Sequence, residues 1–215
     1  MSEQFQVATS VGTAEVVLDD PGAAAALVVL GHGAGGGVDA RDLVKVRSVL
    51  CGASYAVARV TQPYRMAGRK APAPPRQLDA AFAEVVTALR GRAGLGELPL
   101  VTGGRSSGAR VACRTSAAVG ARGVVALAFP LHPPGRPEKS RADELHAVQV
   151  PVLVVQGERD SFGPPDEVLA TEPPAGVTVH PVAGGNHGLA VRKGDPPALD
   201  AVADRVLSWL TELLQ

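Results

Sequence analysis

The chain reads as an α/β fold with a mainly parallel sheet and helices on both faces, and three observations predict it. Strand-like and helix-like segments alternate from about residue 25 to the C-terminus, the pattern of βαβ units. The strand-like segments, among them Ala25–Leu30, Gly123–Phe129 and Val150–Gln156, are almost continuously apolar, as strands covered on both faces must be. The intervening segments carry apolar residues at helical spacing, most cleanly Leu78, Phe82, Val85, Val86 and Leu89.

Taken in order, residues 5–18 alternate apolar and polar in places and predict one or two short antiparallel strands before the turn Asp19-Asp20-Pro21-Gly22. The apolar run Ala25–Leu30 follows, then the loop Gly31-His32-Gly33-Ala34-Gly35-Gly36-Gly37. Asp39 is the expected N-cap of a helix that carries Leu43, Val44, Val46, Val49 and Leu50. A strand at Tyr55–Val60 leads into Gln62–Arg76, which is basic and proline-rich and is expected to be irregular. The Leu78–Leu89 helix, a strand at Leu98–Val101, a helix through Ala109–Cys113 and the Gly123–Phe129 strand come next. A short helix near Glu138–His146, the Val150–Gln156 strand, a helix near Asp166–Ala170 and a strand at Val177–Pro181 precede a last helix starting near Pro196.

Composition narrows the function classes. A chain of 215 residues is expected to form one domain, residues 1–215, with a sizeable core. Its 21 basic and 21 acidic residues cancel, and aromatics make up 3%. A nucleic-acid partner is therefore not expected, for want of a basic excess and of stacking platforms. No stretch has the ~20 apolar residues of a membrane span, and the N-terminus lacks the pattern of a signal peptide. Cys51 and Cys113 fall in apolar helical segments and are expected to be buried free thiols of a cytoplasmic protein. No cluster has metal-ligand spacing, so neither metal nor cofactor is expected.

The chemistry collects after strand ends, where ligands bind in open α/β sheets. Ser106 lies between Gly104 and Gly108 at a strand-to-helix turn, the nucleophile-elbow pattern, whose strained serine leaves no room for neighbouring side chains. With 25 glycines in the chain, the five-residue pattern would arise about 0.13 times by chance, so context must carry it. Asp160 follows the Val150–Gln156 strand and His187 follows the last strand, which gives the order serine, aspartate, histidine. A serine hydroxyl needs an imidazole to take its proton, and that imidazole needs an acid to fix its tautomer. The backbone N–H groups of Ala34 and Ser107 are the expected oxyanion donors. Among rivals, Glu158 is a second acid, His32 belongs to the oxyanion loop, His132 follows a strand end, and His146 and His180 read as surface or packing residues. Gly31-x-Gly33-x-x-Gly36 also matches the dinucleotide fingerprint, but the next strand ends Arg59-Val60-Thr61-Gln62 without an acid for a ribose. An NADP-binding oxidoreductase using Arg59 would leave Ser106, Asp160 and His187 unused.

GHGAGGG, QPYR, GGRSSGAR, FPLHPPG, VPVLVVQGERD and GGNHGL together resemble the small α/β-hydrolases related to testis-expressed protein 30. That group includes the hydrolase-like domain of an NSL histone-acetyltransferase complex subunit and bacterial dienelactone-hydrolase-like proteins. The resemblance spans roughly residues 25–214. It implies an α/β-hydrolase fold and carries Ser106, Asp160 and His187 over as a catalytic triad. Dienelactone hydrolases proper use a cysteine where this chain has Ser106, so that activity is not implied. The short span between the Gly123–Phe129 and Val150–Gln156 strands predicts no large lid. Tyr64, Arg65 and His132 are the expected substrate-binding residues, on walls formed by Tyr64–Arg76 and His132–Arg136. Arg65, Arg69, Lys70 and Arg105 would favour an anionic acyl group, or else form a solvated basic surface. The expected function is acyl-enzyme hydrolysis of a small-molecule ester or thioester. A catalytically silent scaffold that binds a partner protein is the alternative.

Overall fold

The computed structural model describes residues 1–194 and 197–215. Two N-terminal strands, β1 (Ser2–Thr9) and β2 (Gly12–Asp19), pair as an antiparallel hairpin. The chain then alternates β3 (Leu27–Gly31), α1 (Arg41–Gly52), β4 (Ala56–Thr61), α2 (Pro63–Met66), α3 (Pro75–Arg90), β5 (Leu100–Arg105), α4 (Ser107–Thr115) and β6 (Gly123–Leu127). A 3₁₀ turn at Pro137–Lys139, α5 (Ala142–His146), β7 (Val152–Gly157), α6 (Pro165–Ala170), β8 (Val177–Val182) and α7 (Leu199–Leu213) complete it. The strands form one eight-stranded sheet in the order β1-β2-β4-β3-β5-β6-β7-β8. Strand β2 pairs antiparallel with both β1 and β4, and from β4 to β8 the pairing is parallel.

Period-2 alternation sends each buried strand's side chains into different layers. Val28 and Leu30 of β3, with Leu153 and Val155 of β7, pack against α1 and α7 through Leu43, Val46, Val206 and Leu210. Leu27 and Val29 face the opposite layer, with Phe82, Val85 and Leu89 of α3. Val152 and Val154 join Ala109 and Ala112 of α4, Leu145 of α5 and Val168 of α6 on that same side. Both faces are thus covered, which is why these strands can be apolar throughout.

Three details differ from expectation. Gln62–Arg76 is not wholly irregular: α2 begins at Pro63, and α3 begins at Pro75 with Pro74 preceding it. Proline at a helix's first position loses no hydrogen bond, because that N–H has no intrahelical acceptor. Asp39 is not an N-cap; α1 begins at Arg41 after Ala40, and the acid in its first turn is Asp42. Pro196, the expected start of the last helix, lies outside the described residues, and α7 begins at Leu199.

The sheet order fixes where a site can form. From β3 the chain crosses to β4 on one side, then returns to β5 on the other, so β3 and β5 flank the switch point where the loops diverge. Between β6 and β7 stand only the 3₁₀ turn and the five-residue α5. Among the described residues, no lid covers this end of the sheet.

Candidate active site

The elbow is built by three glycines. Gly31 of β3 pairs with Gly104 of β5, and a Cβ on Gly104 would lie 2.4 Å from the Gly31 carbonyl oxygen. A Cβ on Gly108 would lie 2.3 Å from that same oxygen, so α4 can start against β3 only with hydrogen there. Ser106, between them, has φ 52° and ψ −110°, a strained conformation for a residue with a side chain. Its N–H donates to the Leu127 carbonyl (2.9 Å), and its own carbonyl accepts from the Arg110 N–H (3.2 Å). The strain is therefore held in place from both sides.

The Ser106 hydroxyl lies 2.9 Å from His187 Nε2. On the ring's other side, Nδ1 is 2.8 Å from Asp160 Oδ2 and 3.0 Å from Oδ1. The carboxylate only accepts, so Nδ1 carries the proton and Nε2 presents a lone pair to the serine O–H. Asp160 is 2% exposed; its Oδ1 accepts from the Phe162 N–H (2.9 Å) and its Oδ2 from Gln156 Nε2 (3.1 Å). A Cβ on Gly157 would lie 2.5 Å from the Gly185 carbonyl oxygen, so the end of β7 touches the histidine loop directly. Glu158, the rival acid, points elsewhere and accepts from the Gly184 N–H (2.9 Å). The Phe162 ring stacks on His187, with centroids 4.1 Å apart and planes at 27°.

The loop after β3 is held from behind. The Gln62 N–H donates to His32 Nε2 (3.1 Å), so Nδ1 bears hydrogen and donates to the Gly33 carbonyl (2.7 Å). Burial foremost lowers the His32 pKa, with the Arg65 charge acting the same way, which keeps the ring neutral as these bonds require. The Gly36 N–H also reaches the Gly33 carbonyl (3.1 Å). In a trans peptide C=O and N–H point in opposite directions, so fixing that carbonyl fixes where the Ala34 N–H points. Ser107, first residue of α4, has an N–H without an intrahelical acceptor. A Cβ on Gly33 would lie 3.6 Å from Ser106 Cβ, so the loop approaches the nucleophile closely.

A family model for an alpha/beta hydrolase domain matches residues 24–215. The chain belongs to that family. Among solved structures this hydrolase resembles an alpha-beta serine hydrolase homologue from Coxiella burnetii, with TM-score 0.79 and 16% identity over 97% of each chain. A serine hydrolase without lid from Xanthomonas campestris gives TM-score 0.75 at 20% identity, over 98% of this chain and 94% of that one. Dienelactone hydrolase from Anabaena variabilis gives 0.76 at 20% identity, over 100% and 99%. At these identities the likeness is one of fold.

The hydrolase uses its expected substrate-wall residues differently. Tyr64 does not line a wall: it is 2% exposed and donates its hydroxyl to the Ala34 carbonyl (2.9 Å), bracing the loop from within. Arg65 is half-buried beside it. His132 has no ring nitrogen to offer a substrate, since Nδ1 is 2.9 Å from the Pro133 carbonyl and Nε2 2.8 Å from Glu167 Oε2. Both partners are acceptors, so both contacts are satisfied together only by the imidazolium form of the ring. Its pKa is raised, first by the Pro133 bond and further by Glu167. A raised folded-state value means this link stabilises fully below the ordinary 6.5 and fades as pH rises through the folded value. In thermal melts, the deficit of His132→Gln relative to wild type is expected to be largest at about pH 5 to 6 and to shrink at alkaline pH.

The fingerprint glycines and Arg59 are also accounted for. Gly31 faces Gly108. Arg59 is 7% exposed; its Nη1 donates to the Val38 carbonyl (2.8 Å) and its Nη2 to Asp19 (3.3 Å), while Nε is buried without a partner, so the guanidinium is turned into the fold. Behind the elbow, a void lined by His32, Gln62, Tyr64 and Ser107 has about 10 Å³, room for at most one water. That void is too small for an organic group, which leaves the open side of Ser106 as the free space next to it. Gln156, Phe162 and Asp42, the ion partner of Arg105, are supporting residues that sequence reasoning missed, and Tyr64 is one to which it gave a different role. The glutamine four residues before Asp160 was the one signal that could have been read.

Proposed function

We propose that this α/β hydrolase cleaves a small ester or thioester through an acyl-enzyme on Ser106, and acts in the cytoplasm. The motif resemblance to the hydrolases related to testis-expressed protein 30 belongs to the same reading. The observation that carries it is the unbroken chain from Ser106 Oγ to His187 Nε2 (2.9 Å) and from Nδ1 to buried Asp160 (2.8 Å). His187 takes the serine proton as Oγ bonds to the carbonyl carbon, and Asp160 stabilises the imidazolium. The oxyanion is received by the N–H groups of Ala34 and Ser107. His187 then returns the proton to the departing alcohol or thiol, and a water attacks the acyl-serine by the reverse proton path.

The test is a burst of p-nitrophenol from p-nitrophenyl acetate, together with fluorophosphonate labelling that maps to Ser106. Equal behaviour of wild type and Ser106→Ala, with no label at Ser106, would sink the reading and leave a silent scaffold. Tyr64→Phe bears on the oxyanion loop separately. Loss of one neutral hydrogen bond, worth about 1 kcal/mol, predicts roughly three- to tenfold slower acylation with KM little changed.

A further inference from the structure

The residue before the nucleophile, Arg105, takes no part in the scheme above, yet it reaches the histidine loop and the oxyanion loop on either side of Ser106. Its Nε lies 2.9 Å from Asp42 Oδ2, and its Nη2 donates to the His187 carbonyl (3.2 Å). Its Nη1 would lie 3.2 Å from a Cβ on Gly33, the residue before Ala34. Asp42 is 2% exposed and is anchored in the first turn of α1, where its Oδ1 accepts from the Leu43 N–H (2.9 Å). One guanidinium, springing from the elbow itself, thus joins the nucleophile turn, the histidine loop, the oxyanion loop and α1.

We propose that Arg105 and Asp42 are positioning residues for acyl transfer: a clamp, buried at Asp42 and partly exposed at Arg105, that sets His187 and the oxyanion loop against Ser106. The proposal rests on the acyl-enzyme reading. Asp160 orients the His187 ring from the side-chain end, and Arg105 fixes the same residue by its carbonyl. His187 is thereby held at both ends. Arginine suits this place because its guanidinium sets Nε against Asp42 Oδ2 as an ion pair, with no hydrogen bond to that oxygen, while Nη2 donates to the His187 carbonyl; a lysine ammonium on a flexible stem would serve one at a time. Burial foremost raises the Asp42 pKa and the Arg105 charge opposes that rise. The dependence is unequal: removing Arg105 strands Asp42 in a low-dielectric setting, whereas Arg105, with its side chain 21% exposed, keeps contact with water without Asp42.

The experiment compares wild type, Arg105→Lys, Arg105→Ala and Asp42→Asn in single-turnover acylation by p-nitrophenyl acetate and in fluorophosphonate labelling. An ester carrying a free carboxylate, mono-p-nitrophenyl succinate, is run in parallel. Displacement of the catalytic groups by about 1 Å predicts roughly 10- to 100-fold slower acylation in all three variants, with KM within about twofold for both esters. Arg105→Lys should keep most of the wild-type melting temperature but not the rate, and added methylguanidinium should restore the rate of Arg105→Ala alone. Arg105→Lys and Asp42→Asn carry the test if Arg105→Ala does not fold. Wild-type acylation in variants with lowered melting temperatures would overturn the clamp, as would a loss confined to KM for the anionic ester. Wild-type protein without Ser106-dependent turnover would instead defeat the acyl-enzyme reading on which it rests.

Discussion

Ser106→Ala is expected to lower kcat/KM for p-nitrophenyl acetate by about 10³-fold or more, with the melting temperature close to that of wild type. The size follows from what is lost. Without Oγ no acyl-enzyme forms, and His187 has no proton to take at 2.9 Å. Residual turnover would come from oxyanion donors acting on an attacking water. Because the serine and histidine act as a unit, Ser106→Ala/His187→Ala should be scarcely slower than Ser106→Ala alone, whereas independent contributions would multiply. Stability should hold, since the partners that brace the strained turn are the backbone groups of Leu127 and Arg110. The substitution leaves both in place.

Gly108→Ala is expected to have the largest effect on stability of any single methyl added here. The new Cβ would lie 2.3 Å from the Gly31 oxygen, 2.5 Å from its carbonyl carbon and 2.9 Å from the His32 oxygen. All three are backbone atoms of β3 or its loop, so no side chain can swing aside and α4 must back away from the sheet. Overpacking of this kind costs about 3 kcal/mol or more, which for a chain of this length lowers Tm by roughly 6–12 °C. Activity should fall further than stability does, because the Ser107 N–H moves with the helix. Gly35→Ala is the control: its Cβ would have nothing within 4 Å, and a change within about 0.5 kcal/mol is expected. Denaturation of the three proteins, with acylation rates measured well below Tm, separates the two effects.

These contrasts mark which parts of the fold were legible in the sequence. Ser106, Asp160 and His187 stand just after β5, β7 and β8, and each strand announces itself by a local apolar run. Parallel strands place them at one edge of the sheet, and the histidine loop, folded against Gly157 at the end of β7, carries His187 from β8 back to within 2.9 Å of Ser106. Gly104 and Gly108 were likewise readable, because the crowding that excludes Cβ is intrinsic to a strand reversing into a helix. Tyr64 was not. Whether its hydroxyl meets a substrate or the Ala34 carbonyl depends on how the Pro63–Met66 turn folds back, a matter of tertiary packing. The Arg105–Asp42 pair was hidden for the same reason: α1 and the end of β5 are distant in sequence, and only the assembled sheet brings them together. Glu158 and Asp160 are chemically equivalent in sequence. Only the path of the Ala183-Gly184-Gly185 loop, which gives Glu158 the Gly184 N–H, separates them.

The open end of the sheet above β5 and β7 has a kinetic consequence. If the proposed acyl-enzyme forms on the open side of Ser106, the alcohol or thiol would leave straight into bulk water, and the hydrolytic water would arrive by the same route. No segment has to open before product departs, so a diffusive step is not expected to limit turnover. A chemical step, acylation or deacylation, would then set the pace, and kcat should be indifferent to added viscogens such as sucrose. A kcat that falls in proportion to solvent viscosity would mean that a motion of the surrounding loops gates each cycle.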